Sequence, residues 1–179
     1  MGGVEAVTKV LTQLPPEMPG IVVTQHMPGG FTGMYAKTLD NSCKLKVYQA
    51  EDKMPVDPGC IYIAPGGFHM KVAKNGDGYI IRITNEDKVS GHKPSVNVLF
   101  DSVAEAAGKN AMGVILTGMG DDGATGLLKM RQAGAYTVGQ SPETCVVYGM
   151  PKVAYEIGAV MEQIPLTRIH LKMLDYVKR

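Results

Sequence analysis

Apolar positions recur along this chain with two alternating periods. Over Gly3–Leu14, the residues Val4, Val7, Leu11 and Leu14 fall at helical spacing, and Pro15-Pro16 stops the run. Gly20–Gln25 (GIVVTQ) is a short β-branched stretch, which predicts a buried strand. The alternation continues to the end of the sequence. Helices are predicted over Phe31–Leu39, Ser95–Ala107, Ala124–Ala133, Pro151–Ile157 and Leu166–Val177, and strands over Cys60–Ala64, Met112–Thr117 and Ala135–Gly139. Met70–Ala73 and Tyr79–Ile83 flank Asn75-Gly76-Asp77-Gly78, whose residues tolerate the positive φ of a tight turn, so a hairpin is predicted there.

Strands that alternate with helices close most easily into a parallel sheet covered on both faces. The expected fold class is therefore α/β: a doubly wound, mostly parallel sheet with helices on both faces and an antiparallel hairpin at one edge. In such sheets the chemistry lies beyond the carboxyl ends of the strands, which directs attention to the loops that follow them.

The length, 179 residues, fits one domain with a sizeable core. With 18 basic and 17 acidic side chains, the net charge is +1, so nothing favours nucleic acid as a partner. No apolar run is long enough to span a bilayer, and the opening residues lack the charged and apolar regions of a signal peptide. Cys43, Cys60 and Cys145 are odd in number and widely spaced, which predicts free thiols rather than a disulfide framework or a zinc site. The expected location is the cytoplasm.

Two post-strand loops carry unusual residues. In Thr24-Gln25-His26-Met27-Pro28, His26 stands just past a strand end, where an imidazole can serve as general base or simply bond locally. In Gly118-Met119-Gly120-Asp121-Asp122-Gly123, three glycines and two acids lie between a buried strand and a helix start. One aspartate is expected to cap the helix, and the other to orient His26; composition leaves open which does which. The amide of Met119 lies in the same loop, placed to face a reacting oxygen. The loop also matches GxGxxG, with Glu143 at the distance of a ribose-binding acid, so a dinucleotide-binding domain is an alternative. Against it, Asp121 and Asp122 would repel a pyrophosphate, and the strand Ala135–Gly139 ends in Gln140 rather than an acid. His69, His92 and His170 show no metal-binding spacing. Ser42, Ser90, Ser95, Ser102 and Ser141 sit on no strand-to-helix elbow and read as caps or turn residues, as does Asn97.

Taken in order, several segments resemble the catalytic domain of the chemotaxis protein-glutamate methylesterases. They are Gly2-Gly3-Val4-Glu5-Ala6, Thr24-Gln25-His26-Met27-Pro28 with Phe31-Thr32, Ile63-Ala64-Pro65-Gly66 with His69-Met70, and His92-Lys93-Pro94-Ser95-Val96. Val114-Ile115-Leu116-Thr117 with the glycine loop, and Cys145-Val146-Val147-Tyr148-Gly149-Met150-Pro151, complete the set. The resemblance runs from Gly2 to about Met161. It implies a Ser-His-Asp triad with no cofactor and no metal, in which the histidine is His26, the aspartate is Asp122, and the backbone of Met119 forms part of the oxyanion hole. Asp121 is left as a cap or loop residue.

The same resemblance implies hydrolysis of glutamate methyl esters, and in many members deamidation of glutamines, on the cytoplasmic helical bundles of chemoreceptors. It also implies a receiver domain fused upstream. The family's first loop reads Ser-Thr-Gly-Gly, and here Met1 stands at the threonine position. The chain as given is thus expected to lack the nucleophilic serine and the central strand that carries it, and to be inactive alone. A non-catalytic receptor-binding module is the corresponding alternative. Asn97 stands where the family usually has aspartate.

Overall fold

The computed structural model describes residues 2–179, and the threonine position expected at Met1 lies outside them. Strands β1 (Ile21–Val23), β2 (Lys46–Gln49) and β3 (Cys60–Ile63) form one parallel sheet in the order β1-β3-β2, with Val22 opposite Tyr62 and Val47 opposite Ile61. The hairpin strands β4 (His69–Asn75) and β5 (Gly78–Thr84) pair antiparallel about the predicted turn. Strands β6 (Met112–Ile115), β7 (Tyr136–Gln140) and β8 (Glu162–Ile164) form a second parallel sheet in that order. The helices between them are α1 (Gly2–Leu11), α2 (Thr32–Ser42), α3 (Val96–Ala106), α4 (Ala124–Gln132), α5 (Met150–Glu156) and α6 (Leu166–Val177).

The α/β architecture is the expected one. The central strands are apolar throughout because they are covered on both faces: Ile61, Tyr62 and Ile63 of β3 are all buried. Two details differ from expectation. First, among the described residues the hairpin pairs with no parallel strand. Pro65-Gly66-Gly67 turns the chain away after β3, and Met70, Val72 and Ile81 pack into the core that holds Leu99, Phe100 and Val103 of α3. The Val72 amide also donates to Ser102 Oγ at 2.9 Å, tying the hairpin to that helix. Second, the parallel strands stand in two halves rather than one ladder.

Among the described residues, β1 is bonded only to β3 and β6 only to β7. Between β1 and β6 lies an apolar cavity of about 700 Å³, lined by Ile21 and Val23 on one side and Met112 and Val114 on the other. Val7 of α1 and Phe100 of α3 also line it. The sheet progresses away from it in both directions, which makes its carboxyl end the switch point where doubly wound folds place their sites.

Candidate active site

His26 and the glycine loop flank that end of the cavity. β1 stops at Val23, and the extended Thr24-Gln25 carries the chain to His26; β6 stops at Ile115 and leads into Gly118–Gly123. The two loops meet in a hydrogen bond of 2.7 Å between His26 Nε2 and Asp122 Oδ2. The Asp122 side chain is wholly buried, while His26 keeps about a fifth of its side chain exposed (22%). A carboxylate only accepts, so Nε2 carries a proton, and in the neutral imidazole Nδ1 then keeps a lone pair. That is the tautomer a general base needs.

Burying a carboxylate is costly unless it is fully bonded. Asp122 is: besides His26, it accepts from Ser95 Oγ at 2.7 Å, the Val96 amide at 2.7 Å and the Asn97 amide at 3.1 Å. The two amides belong to the first turn of α3, where backbone donors have no partner within the helix and the dipole favours negative charge. Burial alone would push the Asp122 carboxyl up. The bonds from His26, Ser95, Val96 and Asn97 outweigh it and hold the group below the ordinary aspartate value.

The expectation that one aspartate caps the helix after the loop is corrected here. Asp122 caps α3, and the exposed Asp121 offers only its carbonyl, to the Ala124 amide at 3.2 Å. α4 is capped by Asn97, whose Oδ1 accepts from the Gly123 amide at 3.0 Å and the Gly126 amide at 2.8 Å. Asn97 therefore caps a neighbouring helix and not its own. The Gly123 and Gly126 amides at the start of α4 are thus already engaged and not open to a bound anion.

His92 lies flat on His26. The ring centroids are 3.6 Å apart and the planes differ by 1°. Two unit charges about 4 Å apart near a protein surface repel by about 4 kcal/mol, so the stacked rings do not both carry a proton. Burial, and then the charge of His26, hold the His92 imidazole below its ordinary value, against the opposing pull of Asp122 and Asp121. A shallow pocket of about 260 Å³ opens beside the stack, with Lys88 and Lys93 at its margin. His26 lines both this pocket and the inner cavity, so it stands between solvent and the apolar interior.

The structure brings the three sequence-predicted residues to one end of the cavity. His26 and Asp122 are bonded; Met119, between Gly118 and the positive-φ Gly120, lines the cavity with His26 and is 77% exposed. Sequence reasoning missed the parts played by His92, Ser95 and Asn97. Each contacts a partner far away in sequence, which spacing alone does not reveal, although all three fall in or next to the segment His92–Val96 singled out above. His69 is structural: it is buried, its Nε2 donates to the Asp87 carbonyl at 2.7 Å, and its Nδ1 accepts the Ser95 amide at 3.2 Å. The three cysteines are free thiols.

Among known proteins, a family model described as CheB methylesterase matches residues 1–173. A protein-glutamate methylesterase/protein-glutamine glutaminase of Agrobacterium fabrum is 56% identical over 97% of this chain and 49% of its own length. The protein of the same name from Chromohalobacter salexigens is 54% identical over 94% of this chain and 48% of its own length. The chain thus spans about half the length of the curated relatives it matches. The crystal structure of the Thermotoga maritima CheB methylesterase catalytic domain superposes with a TM-score of 0.95 at 38% identity, covering 98% of this chain and 94% of that one. With its fold, its histidine–aspartate loops and these likenesses in agreement, the chain belongs to the CheB methylesterase family.

Proposed function

We propose that His26 and Asp122 are the base and the orienting acid of a serine-type acyl-transfer site. In this reading the site hydrolyses glutamate methyl esters on the cytoplasmic helical bundles of chemoreceptors, in the cytoplasm, and works beside a receiver domain fused upstream. The observation that carries the reading is the 2.7 Å bond between His26 Nε2 and a buried, fully bonded Asp122 at the carboxyl ends of β1 and β6. Asp122 fixes the tautomer and stabilises the imidazolium. Nδ1 takes the proton of an attacking hydroxyl as its oxygen bonds to the ester carbonyl. The tetrahedral oxyanion is met by backbone donors that include the Met119 N–H, each worth roughly 3–4 kcal/mol. His26 then returns the proton to departing methanol, and an acyl-enzyme remains. Water, activated by the same base, attacks the acyl group and restores the hydroxyl. With a glutamine side chain, ammonia leaves in place of methanol and the remaining steps are unchanged.

The nucleophile is supplied, in this reading, by the family's Ser-Thr-Gly-Gly loop, with its strand parallel to β1 and β6 in the cavity between them. Among the described residues, none of the five serines bonds to His26: Ser95 donates to Asp122, Ser141 to Glu143, and Ser42 and Ser102 to carbonyls of their own helices, while Ser90 accepts from Asn97. Residues 1–179 alone are therefore expected to show little esterase activity.

The test is methanol release from a methylated receptor fragment, by residues 1–179 and by a chain extended upstream through the strand and Ser-Thr. Activity only in the extended chain, lost on His26→Ala and reduced about 10⁴-fold on Asp122→Asn, supports the triad. If both chains fold, bind the fragment and release no methanol, the acyl-transfer reading fails and a non-catalytic receptor-binding role replaces it.

A further inference from the structure

A single hydrogen bond does not fix an imidazole. The bond from His26 Nε2 to Asp122 leaves the ring free to swing about that axis, and with it the direction of Nδ1. What stops the swing is a flat neighbour: the His92 ring lies parallel to it within 1°, at 3.6 Å. That neighbour is itself anchored. The Val89 amide donates to the His92 carbonyl at 3.0 Å and the His92 amide to the Val89 carbonyl at 2.9 Å, closing a tight loop through Ser90 and Gly91. Three residues further on, Ser95, Val96 and Asn97 hold Asp122. One segment therefore grips both the face of His26 and its carboxylate partner.

We propose that His92 is a positioning residue for His26: an uncharged imidazole plate that fixes the plane of the base and so aims Nδ1. The inference rests on the reading of His26 as the base. A neutral plate accommodates a proton arriving on His26, whereas a charged one opposes it. The charged groups around the plate balance that state. Asp121 and Asp122 face it from the glycine loop, His26 from the loop after β1, and Lys88 from its own loop. Lys93, next in sequence, donates to Asn85 Oδ1 at 2.7 Å.

The experiment is nuclear magnetic resonance of ¹⁵N-histidine-labelled residues 1–179, with His92→Ala and His92→Phe. It reads the proton shared by His26 and Asp122 directly, so the outcome is separable from whether esterase activity is ever found. His92→Ala removes the plate: that proton is expected to exchange with water about three- to tenfold faster, as loss of an aromatic pair implies, and His26 to show both tautomers. His92→Phe keeps a plate and is expected to restore the slow exchange and the single tautomer. If His92→Ala leaves exchange and tautomer unchanged, or if His92→Phe behaves like His92→Ala, the proposal is overturned. Should His92→Ala fail to fold, the unmodified chain still decides. The His26 ring signals must shift at the midpoint where His92 takes up its proton, and indifference of His26 to that step overturns the proposal.

Discussion

Asn97 and Asp122 each cap the helix that the other introduces. Asn97, in the first turn of α3, accepts from the Gly123 and Gly126 amides at the start of α4; Asp122, in the loop before α4, accepts from the Val96 and Asn97 amides at the start of α3. The two helices are locked end to end by four bonds, and the carboxylate bonded to His26 is one of the locks. Fold stability and the geometry of the His26 side chain are thus properties of one cluster.

Removing one lock should be felt as a buried donor left without a partner. Asn97→Ala is expected to cost about 1–3 kcal/mol in urea-induced unfolding, because the Gly123 and Gly126 amides lose their acceptor. Asn97→Asp keeps an acceptor there, and the Ser90 hydroxyl is free to turn and donate to it. Its loss should be clearly smaller than that of Asn97→Ala; equal losses would show that Asn97 is not acting as a cap.

The acid side of the stability curve follows from Asp122. Its carboxyl is held below the ordinary value, so its contribution is fully present above about pH 4, the unfolded value, and is lost as the pH falls through the lower folded value. Unfolding of the unaltered chain and of Asp122→Asn, compared from pH 7 to pH 3, should therefore show a stability gap that narrows only below about pH 4. A gap that still widens on acidification contradicts a carboxylate stabilised by these bonds.

Ser95 is buried against Asp122 and cannot serve two masters. Ser95→Ala should cost about 1.5–3 kcal/mol, the range for a hydrogen bond to a charged group, and should lower methylesterase activity of the extended chain without abolishing it. Mass spectrometry after turnover should find no acyl adduct on Ser95. An adduct there, or complete loss of activity in a folded Ser95→Ala variant, would make Ser95 the nucleophile.

The cavity between β1 and β6 is apolar and large enough for more than a solvent molecule. Residues 1–179 should bind an apolar fluorescent dye there, and Val114→Trp, which projects bulk into the space, should reduce the signal. A chain extended through the upstream strand should bind little dye. Equal fluorescence from both chains would mean that the strand settles elsewhere.

Much of this architecture was legible because buried parallel strands are continuous apolar runs: GIVVTQ, CIYIA and MGVILT contain β1, β3 and β6. β2 and β8 escaped notice for the opposite reason. Both are edge strands of four and three residues, mixed in polarity, with only Val47 and Ile164 buried. His26 and the acidic glycine loop stood out because catalytic groups gather after strand ends. The choice between Asp121 and Asp122 did not come from composition, since one points to water and the other into the protein only after α3 has packed against α4. The stacking of His92 was equally invisible, as ring planes are set by tertiary packing.

The divided sheet has a consequence for cooperativity. No backbone ladder joins β1 to β6 among the described residues, so the two halves are coupled through side chains alone. α1 is the brace: its Val7 and Leu11 pack with Ile61 and Ile63 of the first half, while its Val10 packs with Val138, Ile164 and Ile169 of the second. In residues 1–179 alone, amide hydrogen exchange is expected to resolve one set of protection factors for β1 and β3 and another for β6 and β7, and a chain extended through the upstream strand is expected to merge them. Val10→Ala, by loosening the brace, should drive those two sets further apart.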